Sequence, residues 1–353
     1  MRTRRSTIVG SVPRRSVAAL AVAVAALPLA GCMDPGEPAA PDPDAPSDDE
    51  PSRLTAQRLL QVTEPHEATG RTLLEGPTFD EDGRLHLVDV TAPAGAPKVM
   101  RIDLDSSEVT TVFTDETGVY TSAQWGPTDG RLHLTDYAGG RIVSITPEGE
   151  DSQTVFEGDV EGRTMHPDDL AFDEEGTMFV SDSARTAYPG GEPTGRVVRI
   201  DAASGEATVL AESQPNPNGI SYDPETSALW VSQLDANRID RLLLTEDGTR
   251  VATGHTAIHV DGGPAQTDSN ALDAQGNLYQ GVHGIPRILV YGPKGRLRAT
   301  VEIPEGDEGL ESATNIAIRP GTTDAYVTVS GPAGGYVYRF DALAEGTRAS
   351  NGG

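Results

Sequence analysis

The sequence predicts an all-β chain, a six-bladed β-propeller of four-stranded antiparallel blades, and three observations carry that prediction. An apolar strand, a turn and a second apolar strand recur six times along the chain. The apolar anchors of the first strands, Phe79, Trp125, Phe172, Tyr222, Leu272 and Ile318, return at intervals of 46 to 50 residues, the length of one four-stranded blade. No stretch sustains a helical period.

Residues 1–31 carry five arginines and no acid, followed by an apolar run over 17–29 that is too short and too alanine-rich to span a bilayer stably. That is the layout of an export signal. It ends in Leu29-Ala30-Gly31-Cys32, which resembles a bacterial lipobox, so Cys32 is expected to become a lipidated N-terminus that holds the protein to a membrane. Cys32 is the only cysteine, which leaves no thiol for a disulfide outside the cytoplasm. The expected location is that of an exported, cell-surface or periplasm-facing lipoprotein. Arg4-Arg5 and Arg14-Arg15 leave both the general secretory and the twin-arginine route open.

Residues 32–53 are almost wholly Pro, Asp, Glu, Ala and Ser; they bury too little to fold and read as a stiff acidic tether. Without the leader, 22 basic residues face 54 acidic ones, a formal charge of −32. Such a chain repels nucleic acid and anionic lipid.

The propeller itself is expected over 54–348, with a disordered tail at 349–353. Its strand-turn-strand repeats are 76–89, 122–136, 169–182, 219–232, 269–282 and 315–327. Asp-x-x-Gly or Pro-containing turns join each pair, and glycine supplies the positive φ of a tight hairpin. Third strands follow at 98–103, 141–146, 195–201, 238–244, 285–291 and 335–340. The last repeat runs out after its third strand, so 54–63 is expected to supply the missing outer strand and close the ring.

In a propeller the residue before each innermost strand points into the central channel. Four positions back from each anchor stand Glu75, Thr121, Asp168, Asn218, Asp268 and Thr314, all oxygen-bearing. Three carboxylates crowded in a channel repel unless they are protonated or bridged by a cation. One divalent ion is therefore expected, Ca2+ first because it accepts many oxygens in loose geometry, with Zn2+, Mn2+ or Mg2+ as alternatives.

The runs Glu75-Gly76-Pro77-Thr78-Phe79, Pro217-Asn218-Gly219-Ile220 and Asp268-Ser269-Asn270-Ala271-Leu272-Asp273 resemble the metal-binding strands of the senescence-marker-protein/gluconolactonase/luciferin-regenerating-enzyme-like family, and most closely its bacterial drug-responsive lactonase branch. The resemblance implies a metal on Glu75, Asn218 and Asp268, with Ser269 also in the shell. It implies that Asp168 contacts substrate or holds a second metal. Two departures follow: Val160 and Met165 stand where that branch has the aspartate and tyrosine of a second calcium site, and His166 stands where the gluconolactonases have a sugar-contacting arginine.

The activity so implied is hydrolysis of a lactone or related carboxylic ester, by metal polarisation of the carbonyl and attack of an activated water, with Asp268 as ligand and proton acceptor. No Gly-x-Ser-x-Gly elbow or free cysteine competes as nucleophile. Two other readings stand beside it: a non-catalytic, metal-stabilised extracellular binding propeller, and an esterase for aryl or phosphate esters. His166 and His283 are placed near the channel mouth; His86 and His133 read as half-exposed strand residues, His255 and His259 as solvated ones. Trp125 and Trp230 read as packing residues, and Tyr188, in the insertion 183–195, as part of a lid.

Overall fold

The computed structural model describes residues 50–183, 192–304 and 308–350. The leader, Cys32, most of the tether, Tyr188 and residues 351–353 lie outside the described residues.

Four antiparallel sheets of four strands follow one another in sequence order. The first comprises Leu74–Phe79, Leu85–Asp89, Pro97–Asp103 and Glu108–Thr114. The next three open on Tyr120–Trp125, Pro167–Phe172 and Pro217–Asp223. Two further strand groups open on Gln266–Leu272 and Ser312–Ile318, and the single bridge Val282 to Ala313 links them into one larger sheet. Among the described residues the one helical element is a 3-10 turn, Leu234–Ala236. The fold is thus all-β and consistent with a β-propeller.

Burial follows position within each sheet. Second strands such as Leu85–Asp89, Leu132–Asp136 and Met178–Asp182 are buried at every residue, because neighbouring sheets cover both faces. Outer strands such as Gln153–Glu157 are mostly exposed. The core is divided into apolar layers between consecutive strand groups. One layer joins Val88 and Val99 to Tyr120 and Leu134, and another returns from Ala317 and Tyr326 to Leu74 and Leu87.

A recurrent ring contact runs through these layers, from the second strand of one group to the first-strand anchor of the next. His86 meets Trp125 edge-on at 5.2 Å between centroids, His133 meets Phe172 at 5.1 Å, Phe179 stacks on Tyr222 at 5.4 Å and Tyr326 meets Phe79 at 5.5 Å. His86 and His133 are therefore packed against the neighbouring sheet, 0% and 4% exposed. The half-exposed reading fails because two-sided burial removes the inside-outside alternation on which it relied.

The first hairpin turns are built as the Asp-x-x-Gly spacing predicts. In the first, Gly83 (φ 78°) donates to the Asp80 carbonyl at 3.0 Å while Arg84 N–H donates to Asp80 Oδ1 at 2.8 Å. The outer strand of the last group comes from the front of the domain: Gln57–Thr63 pairs antiparallel with Gly334–Asp341. Two boundaries move. Ser52–Thr55, assigned partly to the tether, pairs parallel with Leu297–Glu302. Ser350, assigned to a disordered tail, is buried and accepts Ile318 N–H at 2.8 Å.

Candidate functional site

The six aligned positions share a backbone feature that spacing alone did not reveal. Pairing of first and second strands slips between Glu75 and Thr78, Tyr120 and Ser122, Pro167 and Leu170, Pro217 and Ile220, Thr267 and Asn270, and Ala313 and Asn315. Each slip falls at or beside the aligned residue. A bulge interrupts the ladder and re-aims the side chain it carries. Gly76 (φ 58°) serves the first: a Cβ there would sit 2.5 Å from Ala123 N.

The carbonyls at these bulges are held by buried side chains. Thr121 and Thr135 hydroxyls donate to Asp168 O at 2.7 and 2.8 Å. Gln280 Nε2 donates to Asp268 O at 2.8 Å and Ser269 O at 3.2 Å. Thr314 donates to Leu74 O at 3.0 Å. Thr121 and Thr314 thus clamp the backbone of the next strand group, and their hydroxyl protons are already committed.

Glu75, Asn218 and Asp268 are all buried, as is Ser269. Burial, then the charges of Asp268 and Asp168, hold the Glu75 carboxyl well above the usual carboxylate range. Burial and the Asp268 charge likewise push Asp168 to about 7, against a hydrogen bond from Ser183. Asn218 Oδ1 is buried with no partner. Asp268 Oδ1 accepts the Ser269 N–H at 3.1 Å, and its Oδ2 lies 3.5 Å from His283 Nδ1. That contact raises the His283 pKa against the opposing effect of burial. Ser312 Oγ lies 3.4 Å from the same nitrogen.

Among the described residues no three side chains drawn from His, Cys, Asp and Glu are grouped to hold an ion. Glu75 and Asp268 contribute two carboxylates and Asn218 a carboxamide, a donor set with one acid fewer than such a trio. The oxygens nevertheless fit a hard divalent cation: two mutually repelling buried acids and an orphaned carboxamide oxygen all lack the positive charge that would satisfy them.

His166 follows a short hairpin, Asp159–Val160 with Arg163–Thr164. Its N–H donates to Asp182 Oδ1 at 2.7 Å, and its ring lies against Tyr137 at 5.5 Å. The fully buried Arg196 fastens the hairpin, donating through Nε to Asp182 Oδ2 at 2.6 Å and through Nη1 to Val160 O at 2.7 Å. Val160 and Met165 are core residues there, so they offer no oxygen side chain to a second cation.

Three features escaped the sequence reading. Asp169, beside Asp168, accepts Ser122 Oγ at 3.0 Å, Leu170 N–H at 2.6 Å and Ile220 N–H at 3.1 Å, tying three consecutive strand groups. Burial lifts it to about 8 against those hydrogen bonds. His66 Nε2 lies 2.7 Å from the buried Asp89 Oδ2. Ser183 Oγ lies 2.6 Å from Asn216 Oδ1. The available signal was the Asp that ends the second strand in three successive repeats, Asp89, Asp136 and Asp182.

The sequence profile of the SMP-30/gluconolactonase/LRE-like region matches residues 73–331. The chain belongs to that family. This family member is 27% identical over 285 residues to lactonase drp35 of Staphylococcus haemolyticus, an alignment covering 77% of this chain and 84% of that protein. Its fold resembles a Xanthomonas campestris gluconolactonase, at TM-score 0.64 and 20% identity over 87% of this chain and 99% of that one. It also resembles a calcium-binding protein, regucalcin, of Agrobacterium tumefaciens, at TM-score 0.66 and 16% identity over 84% and 98%.

Proposed function

We propose that this chain is a divalent-metal-dependent lactonase built on a six-bladed β-propeller, exported and held to a membrane through lipid on Cys32. The first strands support the ring: each neighbours the next in chain order, and Ser312–Ile318 lies beside Leu74–Phe79 again. Membership of a family that includes lactonase relatives supports the reaction class. The observation that carries the reading is the buried trio itself, Glu75 and Asp268 with the partnerless Asn218 oxygen.

Glu75, Asn218, Asp268 and Ser269 would hold the cation, with Ca2+ favoured by an all-oxygen donor set. When bound, it supplies Lewis-acid polarisation of the lactone carbonyl and a lowered water pKa. Asp268 keeps one carboxylate oxygen for proton transfer, and His283 at 3.5 Å is placed to share that proton. Asp168 and His166 face the substrate side and orient the ring being opened. Burial of the set excludes bulk water, which strengthens every charge interaction within it.

The test is a panel of lactones and esters assayed with the purified domain before and after chelation, with calcium, zinc, manganese and magnesium added back separately. Hydrolysis that vanishes on chelation, and in Asp268→Ala with the fold intact, is the expected result. Turnover indifferent to both would overturn the reading, and a folded, metal-binding protein inert to the whole panel would favour a non-catalytic binding propeller.

A further inference from the structure

One buried polar residue breaks the pattern of the second strands. Two places beyond the partner of each first-strand anchor stand Leu87, Leu134, Val180, Val231, Gln280 and Val327. All six are 0% exposed, and all but Gln280 are aliphatic. An amide there must find partners for two N–H bonds and an oxygen inside the protein.

The next position accounts for the exchange. In three strand groups it holds a hydroxyl that donates to a carbonyl at the ladder slip: Thr135 to Asp168 O at 2.8 Å, Ser181 to Asp169 O at 3.3 Å, and Thr328 to Asn315 O at 3.4 Å. In the fifth group it is Gly281, where a Cβ would collide with the Thr314 carbonyl, so no hydroxyl-bearing side chain fits. Gln280 does the task from one residue earlier. Its Nε2 donates to Asp268 O at 2.8 Å, Ser269 O at 3.2 Å and Gly281 O at 2.8 Å. Ser232 Oγ donates to its Oε1 at 2.7 Å and accepts Asn270 Nδ2 at 2.8 Å, which fixes the end of the amide that faces the carbonyls.

Asp268 and Ser269 lie within the slip between Thr267 and Asn270, and neither has a register partner in the second strand. On their other side Gly219 admits them closely: a Cβ on Gly219 would sit 2.5 Å from Ser269 Cα. The slipped pair is thus held between the strand that carries Asn218 and the Gln280 amide. We infer that Gln280 is a positioning residue for the cation centre, setting the Asp268–Ser269 backbone so that both side chains converge with Asn218. This rests on the lactonase reading above.

Gln280→Leu gives the fifth strand group the residue its counterparts carry at Leu87 and Leu134, so the strand keeps an apolar filling while the carbonyls lose their donor. Calcium titrated calorimetrically into the metal-free full protein should bind this variant about 10- to 100-fold more weakly than wild type. At saturating Ca2+, kcat for a lactone that the wild type hydrolyses should fall about tenfold or more, with KM within about twofold because Asp168 and His166 are untouched. Gln280→Met, unbranched and equally without N–H, should repeat both losses and serves if leucine impairs folding by circular dichroism. Val327→Ala, at the corresponding place in the sixth strand group, lowers stability through a core cavity and should leave Ca2+ affinity and kcat unchanged. Gln280 variants that bind Ca2+ and turn over as the wild type does, or that lose no more than Val327→Ala, would overturn the inference. A wild type that binds no Ca2+ would overturn the metal-dependent reading and this inference with it, so the wild-type arm separates the two failures.

Discussion

Replacing Asp169 by Ala removes the acceptor for three donors at once: Ser122 Oγ, Leu170 N–H and Ile220 N–H, at 3.0, 2.6 and 3.1 Å. All lie in the interior, where an unsatisfied donor costs about 1 to 3 kcal/mol. Relief of a carboxylate that burial has pushed to about 8 offsets part of that loss. The net destabilisation should be about 3 to 5 kcal/mol, or about 6 to 12 °C in Tm for a domain of this size. Asp169→Asn keeps the shape and one acceptor but turns the other oxygen into a donor facing a donor, and should lose about half as much. Thermal unfolding followed by circular dichroism at neutral pH measures both. A shift below about 2 °C for the alanine variant, or an asparagine variant as damaged as alanine, would refute the view that this acid ties three strand groups together.

Other expectations follow from the same physics. Burial lowers His86 to about 4, below its ordinary 6.5, so its contribution to stability is intact above pH 6.5 and is lost as pH falls towards 4, by up to about 3 kcal/mol. His86→Phe keeps the ring against Trp125 and should flatten the acid limb of a stability-versus-pH curve; an unchanged limb would disprove it. Arg196→Ala strands the buried Asp182 and should cost about 3 to 5 kcal/mol in urea unfolding, with Arg196→Lys rescuing little because one ammonium cannot span the same acceptors. Gly219→Ala sets a Cβ 2.5 Å from Ser269 Cα; it should separate two strand groups beside Asn218 and cost more than about 2 kcal/mol, and a neutral result would mean the strands pack less closely.

The sequence reading succeeded where a local pattern reports a local cause. The aspartate and glycine of the first hairpins fix turns, apolar runs fix the first and third strands, and a fixed offset from each anchor lands on the interrupted ladder that carries Glu75, Asn218 and Asp268. It failed where the cause is distant or two-sided. Ser52–Thr55 becomes a strand because Leu297–Glu302 offers an edge, a fact no neighbouring residue encodes. His86 and His133 sit in strands with no solvent face. Thr121 and Thr314 share the offset of the acids, yet their hydroxyls are engaged by carbonyls across the sheet boundary, which residue type alone does not disclose. The partner of His66, Asp89, lies 23 positions away, beyond any local pattern.

The pairing of the domain's first strands with its last sets a schedule for its biogenesis. The Ser52 hydroxyl reaches the carbonyl of a residue 246 positions downstream, and Gln57 waits for Arg339. While the ribosome is still at work, those early segments have nothing to pair with, and closing so long a loop is slow. The last strand group therefore locks only after synthesis has delivered its final strand, and a chain released short of Gly334–Asp341 would leave Gln57–Thr63 as an open, adhesive edge.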